Sequence, residues 1–199
     1  MSTDHPGDRA VHDPALQQLA AFIRESEQIL ADWDTYSDQH TDLDGWPHDG
    51  YAYGMRAQRR DADTWRAFTR VRSSAKDMLA TAETQMRRLP ATAIQPRWTY
   101  QLGRLHSALE RLTELRDDWL ATRDSLPPSA EPGSAEYDDA RAERNGEAWS
   151  YLDEWASAGD VLLEIHRAAE HIPPTPPAHE PVSTPAPPPP AGHSAAAKR

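Results

Sequence analysis

The sequence predicts an all-α fold, an antiparallel up-down-up-down four-helix bundle followed by a disordered Pro-rich C-terminal tail. Three observations carry this reading. Four long stretches space their apolar residues three or four positions apart, so that each presents one buried face when helical. Segments rich in Pro, Gly and Asp separate the stretches. Ten of the 18 prolines fall from Pro173 onward, where large apolar residues are almost absent.

Residues 1–12 read as a flexible N-terminus. The first helix is expected over about 14–40, opened by Asp13 as N-cap and Pro14 at the first helical position, where its missing N–H is harmless. Its stripe is Leu16, Leu19, Ile23, Ser26, Leu30 and Trp33. The loop Thr41–Gly50 holds two glycines, a proline and three aspartates. A second helix over about 54–89 carries Trp65, Phe68, Ala75, Leu79, Ala82 and Met86, and a short connection between Pro90 and Pro96 follows. The third, about 97–126, has the cleanest stripe: Trp98, Leu102, Leu105, Leu109, Leu112 and Trp119. It stops before Pro127-Pro128, which cannot continue a helix.

The fourth helix is expected over about 134–172. Glu136, Asp138 and Asp139 sit early in it, matching the positive end of the helix dipole. Ala148, Leu152, Trp155, Leu162 and His166 form its stripe, and Asn145-Gly146 is the candidate kink. The bundle thus spans 13–172, and 173–199 is a Pro/Ala-rich tail of partly polyproline II character. Short loops between helices of this length favour antiparallel neighbours.

The chain carries a formal net charge of −11. That argues against unassisted binding to nucleic acid or anionic lipid, whose affinity comes from neutralised phosphates. The charge is uneven: residues 1–50 hold 11 acids and two arginines, whereas residues 51–100 hold ten bases and four acids. The basic surface of the second helix is therefore expected beside acids of the first (Asp32, Asp34, Asp38) and fourth (Asp138, Asp139, Glu143). No run has the ~20 apolar residues of a membrane-spanning helix. The N-terminus shows no basic-then-apolar leader pattern, and there is no cysteine. Those features favour the cytoplasm. Only Lys76 and Lys198 are lysine among 21 basic residues, a usage typical of GC-rich bacterial genomes such as those of actinomycetes.

Three candidate sites stand out. Trp33, His40, Trp46, His48, Tyr51, Trp65 and Trp119 gather, in an antiparallel bundle, toward one aromatic-rich pole that could line a pocket. Plain core packing is the competing explanation for the tryptophans. The second candidate is a basic contact face of Arg56, Arg59, Arg60, Arg66 and Arg70, interleaved with Trp65 and Phe68, for which intramolecular pairing is favoured over nucleic acid. The third, Asp42-Leu-Asp44-Gly45, echoes a calcium loop. It has His40 at the first position and Tyr51 at the twelfth, so it reads as an acidic helix connection. Among the histidines, His106 has Glu110 at i+4 and His166 sits on an apolar stripe, but no Glu-x-x-His pair occurs.

No phosphate loop, nucleophile elbow or dinucleotide fingerprint is present. The functional expectation is a non-catalytic helical bundle acting on another protein or on itself, as adaptor or accessory factor. It has no cofactor, no catalytic or metal residues and no membrane partner. A small-ligand or metal-binding bundle using the aromatic pole is the alternative, and nucleic-acid contact through the arginine face the second alternative.

Overall fold

A computed structural model of the protein describes the backbone of residues 6–171 and side chains from residue 14 onward. The C-terminal tail and residues 1–5 of the flexible start lie outside the described residues. The chain is an all-α bundle: α1 (Pro6–His40), α2 (Gly50–Arg88), α3 (Pro96–Ser125), α4 (Ala135–Ala158) and α5 (Asp160–Glu170), with a single 3₁₀ turn, Ala91–Ala93, between α2 and α3. No helix among the described residues is long and apolar enough to cross a membrane.

Helix boundaries depart from expectation in three places. First, α1 begins ahead of Asp13-Pro14, taking in residues 6–12, and Pro14 lies inside the helix rather than at its first position. The helix there forgoes the one backbone bond a proline cannot donate. Second, α2 starts at Gly50, four residues early, because Asp49 is a strong N-cap. Its Oδ1 accepts from the N–H groups of Tyr51 (3.0 Å) and Ala52 (3.1 Å). Third, the last helix is continuous through Asn145-Gly146 and breaks at Gly159 instead. Close approach explains this position. A Cβ at Gly159 would lie 2.4 Å from the Trp155 carbonyl oxygen and 3.2 Å from Ile23 Cδ1 of α1. The forbidding contact is with the helix's own carbonyl, and Ile23 of α1 adds a tight second one.

Two helical hairpins make the bundle. In the first, Phe22 meets Phe68, Trp33 lies on Arg60, and Ser37 bonds Tyr53, so partners recede along α2 as α1 advances. In the second, Trp119 meets Tyr137, Arg104 pairs with Glu154, and Trp98 Nε1 donates to Glu164 at 2.8 Å, in the same opposed sense. Across the hairpins α2 and α4–α5 advance together, with Arg60 on Trp149, Phe68 on Trp155, and Gln85 bonded to His166. The core is centred where Phe22, Phe68 and Trp155 pack edge to face at 5.4 Å between successive ring centroids.

The hairpins repeat each other. Tyr53, Arg60, Asp61 and Trp65 of α2 recur 84 positions later as Tyr137, Arg144, Asn145 and Trp149 of α4. Leu16, Leu19, Ser26 and Trp33 of α1 recur 86 positions later as Leu102, Leu105, Leu112 and Trp119 of α3. Contacts repeat with the residues: Trp33 packs on Tyr53 at 4.9 Å, and Trp119 on Tyr137 at 5.3 Å.

Candidate functional site

The aromatic end of the bundle is organised by two half-buried arginines. Arg60 reaches from α2 between Trp33 of its own hairpin and Trp149 of the other, its guanidinium 4.4 and 3.9 Å from the two rings. Arg144 does the same from α4, 4.0 Å from Trp65 of the other hairpin and 5.5 Å from Trp119 of its own. Each arginine ties the hairpins together through the electron-rich face of indole, the best aromatic partner for a cation.

The two differ in their counter-charge. Arg60 donates from Nε (2.8 Å) and Nη2 (2.7 Å) to Oδ1 of Asp61, a largely buried carboxylate. Burial raises the Asp61 pKa above its ordinary value, against the opposing hydrogen bond and charge of Arg60. At the equivalent place Arg144 has Asn145, and neither Arg144 Nε nor Asn145 Oδ1 finds a partner among the described residues. Burial, with the neighbouring Arg141 charge, pushes the Arg144 pKa down to about 10.

The candidate pole therefore divides. Trp33, Trp65 and Trp119 present ring faces to Arg60 or Arg144 and belong to the interior network. His40 stacks on Tyr36 at 4.0 Å, and its Nδ1 lies 2.8 Å from the Tyr36 carbonyl. Trp46 and Tyr51 are 72% and 80% exposed, and His48 is exposed beside them. The loop carrying Trp46 is nonetheless well bonded. Asp42 Oδ1 accepts from the N–H groups of Asp44 (3.0 Å) and Trp46 (2.9 Å), and the Trp46 carbonyl accepts from Asp42 N–H at 2.9 Å. Gly45, at φ +83°, supplies the left-handed turn residue. Asp42 is thus engaged by backbone donors, the role of a turn-forming aspartate.

The arginine face is engaged too, though not with the acids expected. Arg59 and Arg66 both reach Asp63, at 3.7 and 2.8 Å, because i,i+4 and i,i+3 spacing puts all three on one face of the helix. Arg70 pairs with Glu25 of α1, and Arg56 lies over Tyr36 at 5.6 Å. Asp32 instead accepts from Gln28, and Asp138 pairs with Arg141. For Asp32, Asp63 and Asp138, short-range partners on the same helix outcompete the neighbouring helix. His106, by contrast, reaches across to Glu83 of α2 at 2.9 Å rather than to Glu110 on its own helix. Among the described residues no three His, Asp or Glu side chains converge as a metal set.

Sequence reasoning missed Arg144, Trp149 and Asp61. The available signal was the repeated Arg-x-x-x-x-Trp, Arg60–Trp65 and Arg144–Trp149, at a fixed offset. Compared with family models, with curated proteins and with solved structures, the chain finds no match.

Proposed function

We propose that the protein is a non-catalytic docking module that engages another protein through the face carrying Leu43, Trp46, Tyr51 and Met55. One observation carries this reading. Leu43 and Trp46 stand exposed on a hydrogen-bonded loop, and Tyr51 and Met55 continue the apolar surface one turn apart on α2. A held loop that exposes Trp and Tyr offers large contact area at low ordering cost, the character of interface hot spots. Asp38, Asp42, Asp44 and Asp49 surround it. The partner surface is accordingly apolar at its centre and basic at its rim. The same reading places the protein in the cytoplasm, on the strength of a chain without cysteine.

Nucleic-acid contact through Arg56, Arg59, Arg60, Arg66 and Arg70 is the weaker reading, since each of those side chains already has a carboxylate or aromatic neighbour.

The test is quantitative affinity purification from the native host with wild type and a Leu43→Ser/Trp46→Ala variant, followed by titration of the purified partner. A partner retained by wild type and lost by the folded variant supports the reading. Equal retention overturns it, as does self-association of wild type that the variant abolishes without any second protein.

A further inference from the structure

The two hairpins share a sparse set of matched positions, so a matched place that differs in both shape and charge is informative. Such a place is the niche where α1 packs against α4. There a cleft of about 210 Å³ opens, walled by Leu30 and Trp149, with Ser26 lining it and Glu27, Asp153 and Asp160 at its exposed rim. Where α3 faces α2, the matching positions are Leu112 for Ser26, Arg116 for Leu30 and Thr113 for Glu27 on α3, and Thr69 for Asp153 and Lys76 for Asp160 on α2. One niche is small and acidic where its twin carries larger and basic side chains.

Ser26 supplies the second observation. It is only 5% exposed, and its Oγ has no hydrogen-bond partner among the described residues. A buried hydroxyl left unsatisfied costs about 1–3 kcal/mol, and such groups ask for a ligand atom. Leucine at this position would fill the space and remove the hydroxyl, as the twin does. The rim acids Glu27, Asp153 and Asp160 make no direct ion pair with a described side chain; Arg104, itself paired with Glu154, acts on Asp153 only at longer range.

We propose that this cleft binds a small organic cation: an ammonium group on a short aliphatic stem that ends in a second hydrogen-bonding group. The stem lies against Leu30 and Trp149, the far end reaches Ser26 Oγ, and the ammonium sits among Glu27, Asp153 and Asp160. The net charge of −11 adds long-range attraction for such a ligand. Short diamines and amino alcohols have this chemistry.

The experiment titrates the full-length protein with 1,4-diaminobutane and 4-aminobutan-1-ol, with butyrate, butan-1-ol and Ca²⁺ as controls, read by calorimetry and tryptophan fluorescence. Expected is saturable binding of an amine at about millimolar concentration or below, with no binding of butyrate or butan-1-ol. The Asp153→Asn/Asp160→Asn variant weakens amine binding by about tenfold or more, and Ser26→Leu abolishes it. Ser26→Ala, which deletes the hydroxyl without filling the cleft, weakens binding severalfold and serves if the leucine variant does not fold. Absence of amine binding up to about 10 mM overturns the proposal. So does binding unaltered in the acid and serine variants, or tighter binding of Ca²⁺ than of either amine.

Discussion

Arg60 and Arg144 hold equivalent places in the two hairpins under opposite conditions. Both lie between two tryptophans, one from each hairpin. Arg60 has a carboxylate next to it; Arg144 has an amide at that position and no carboxylate partner among the described residues. The difference separates two ways of keeping a cation inside a bundle. In one, charge meets charge, and each partner is hazardous to remove because the other is left buried and unpaired. In the other, stacking and apolar contact with the arginine stem offset desolvation without help. For Arg144 burial penalises the charged form, which still prevails at neutral pH. With its pKa at about 10 when folded, well below the ordinary arginine value, its burial opposes folding at neutral pH. That opposition is relieved only as pH rises through 10.

Substitutions at matched positions show how far the two hairpins are equivalent. The largest effect belongs to Trp155, whose counterpart is Val71; both are fully buried. Trp155→Ala is expected to lose about 3–5 kcal/mol in denaturant unfolding, and Val71→Ala about 2 kcal/mol, since only the indole bridges to Phe68. Equal losses would deny Trp155 its central place.

Next comes the pair Gly159 and Ala75. Gly159→Ala is expected to destabilise by about 1–3 kcal/mol, because the added methyl meets the Trp155 carbonyl and Ile23. Ala75→Gly in the unbroken α2 should cost about 1 kcal/mol, mostly from backbone freedom, though its methyl is buried as well.

The third is a pH effect. The Asp61 pKa is raised in the folded protein, so its contribution is greatest below the unfolded value and is lost as pH rises through the folded value. The stability of wild type relative to Asp61→Asn should therefore be greater near pH 4 than at pH 7. An equal or opposite dependence would mean that the Arg60 interaction, not burial, dominates. The smallest effect is at the exposed loop: Trp46→Ala should shift stability by no more than about 0.5 kcal/mol. A larger loss would show that this residue is structural and not a docking group.

The helices were legible because stripe and punctuation agreed. Pro96 opens α3, Leu126 ends it before two prolines, and Ser134 caps α4 with the Tyr137 N–H on its hydroxyl. Breaks within a helix were less legible. Asn145-Gly146 reads as the weak point by propensity, yet Asn145 is buried and α4 continues through it, whereas the contact with α1 falls on Gly159. Tertiary approach decided the matter, and propensity contains none of it. The aromatic end was only half visible. Trp33, Trp65 and Trp119 announce themselves, but an arginine on a helix reads as surface until its aromatic partners are known from two other helices. The niche at Ser26 was invisible for a related reason: serine at a stripe position looks like a minor lapse in the pattern, and its meaning emerges only against Leu112.

One Arg–Trp device is used twice in this bundle, once with a counter-charge and once without. Equilibrium urea unfolding of Arg60→Met and Arg144→Met at neutral pH tests it most directly. Methionine keeps much of each apolar stem and removes the charge. Arg60→Met should lose about 3–5 kcal/mol because Asp61 is left buried and unpaired, while Arg144→Met should change stability by about 1 kcal/mol or less. Equal losses, or a greater loss at Arg144, would contradict it.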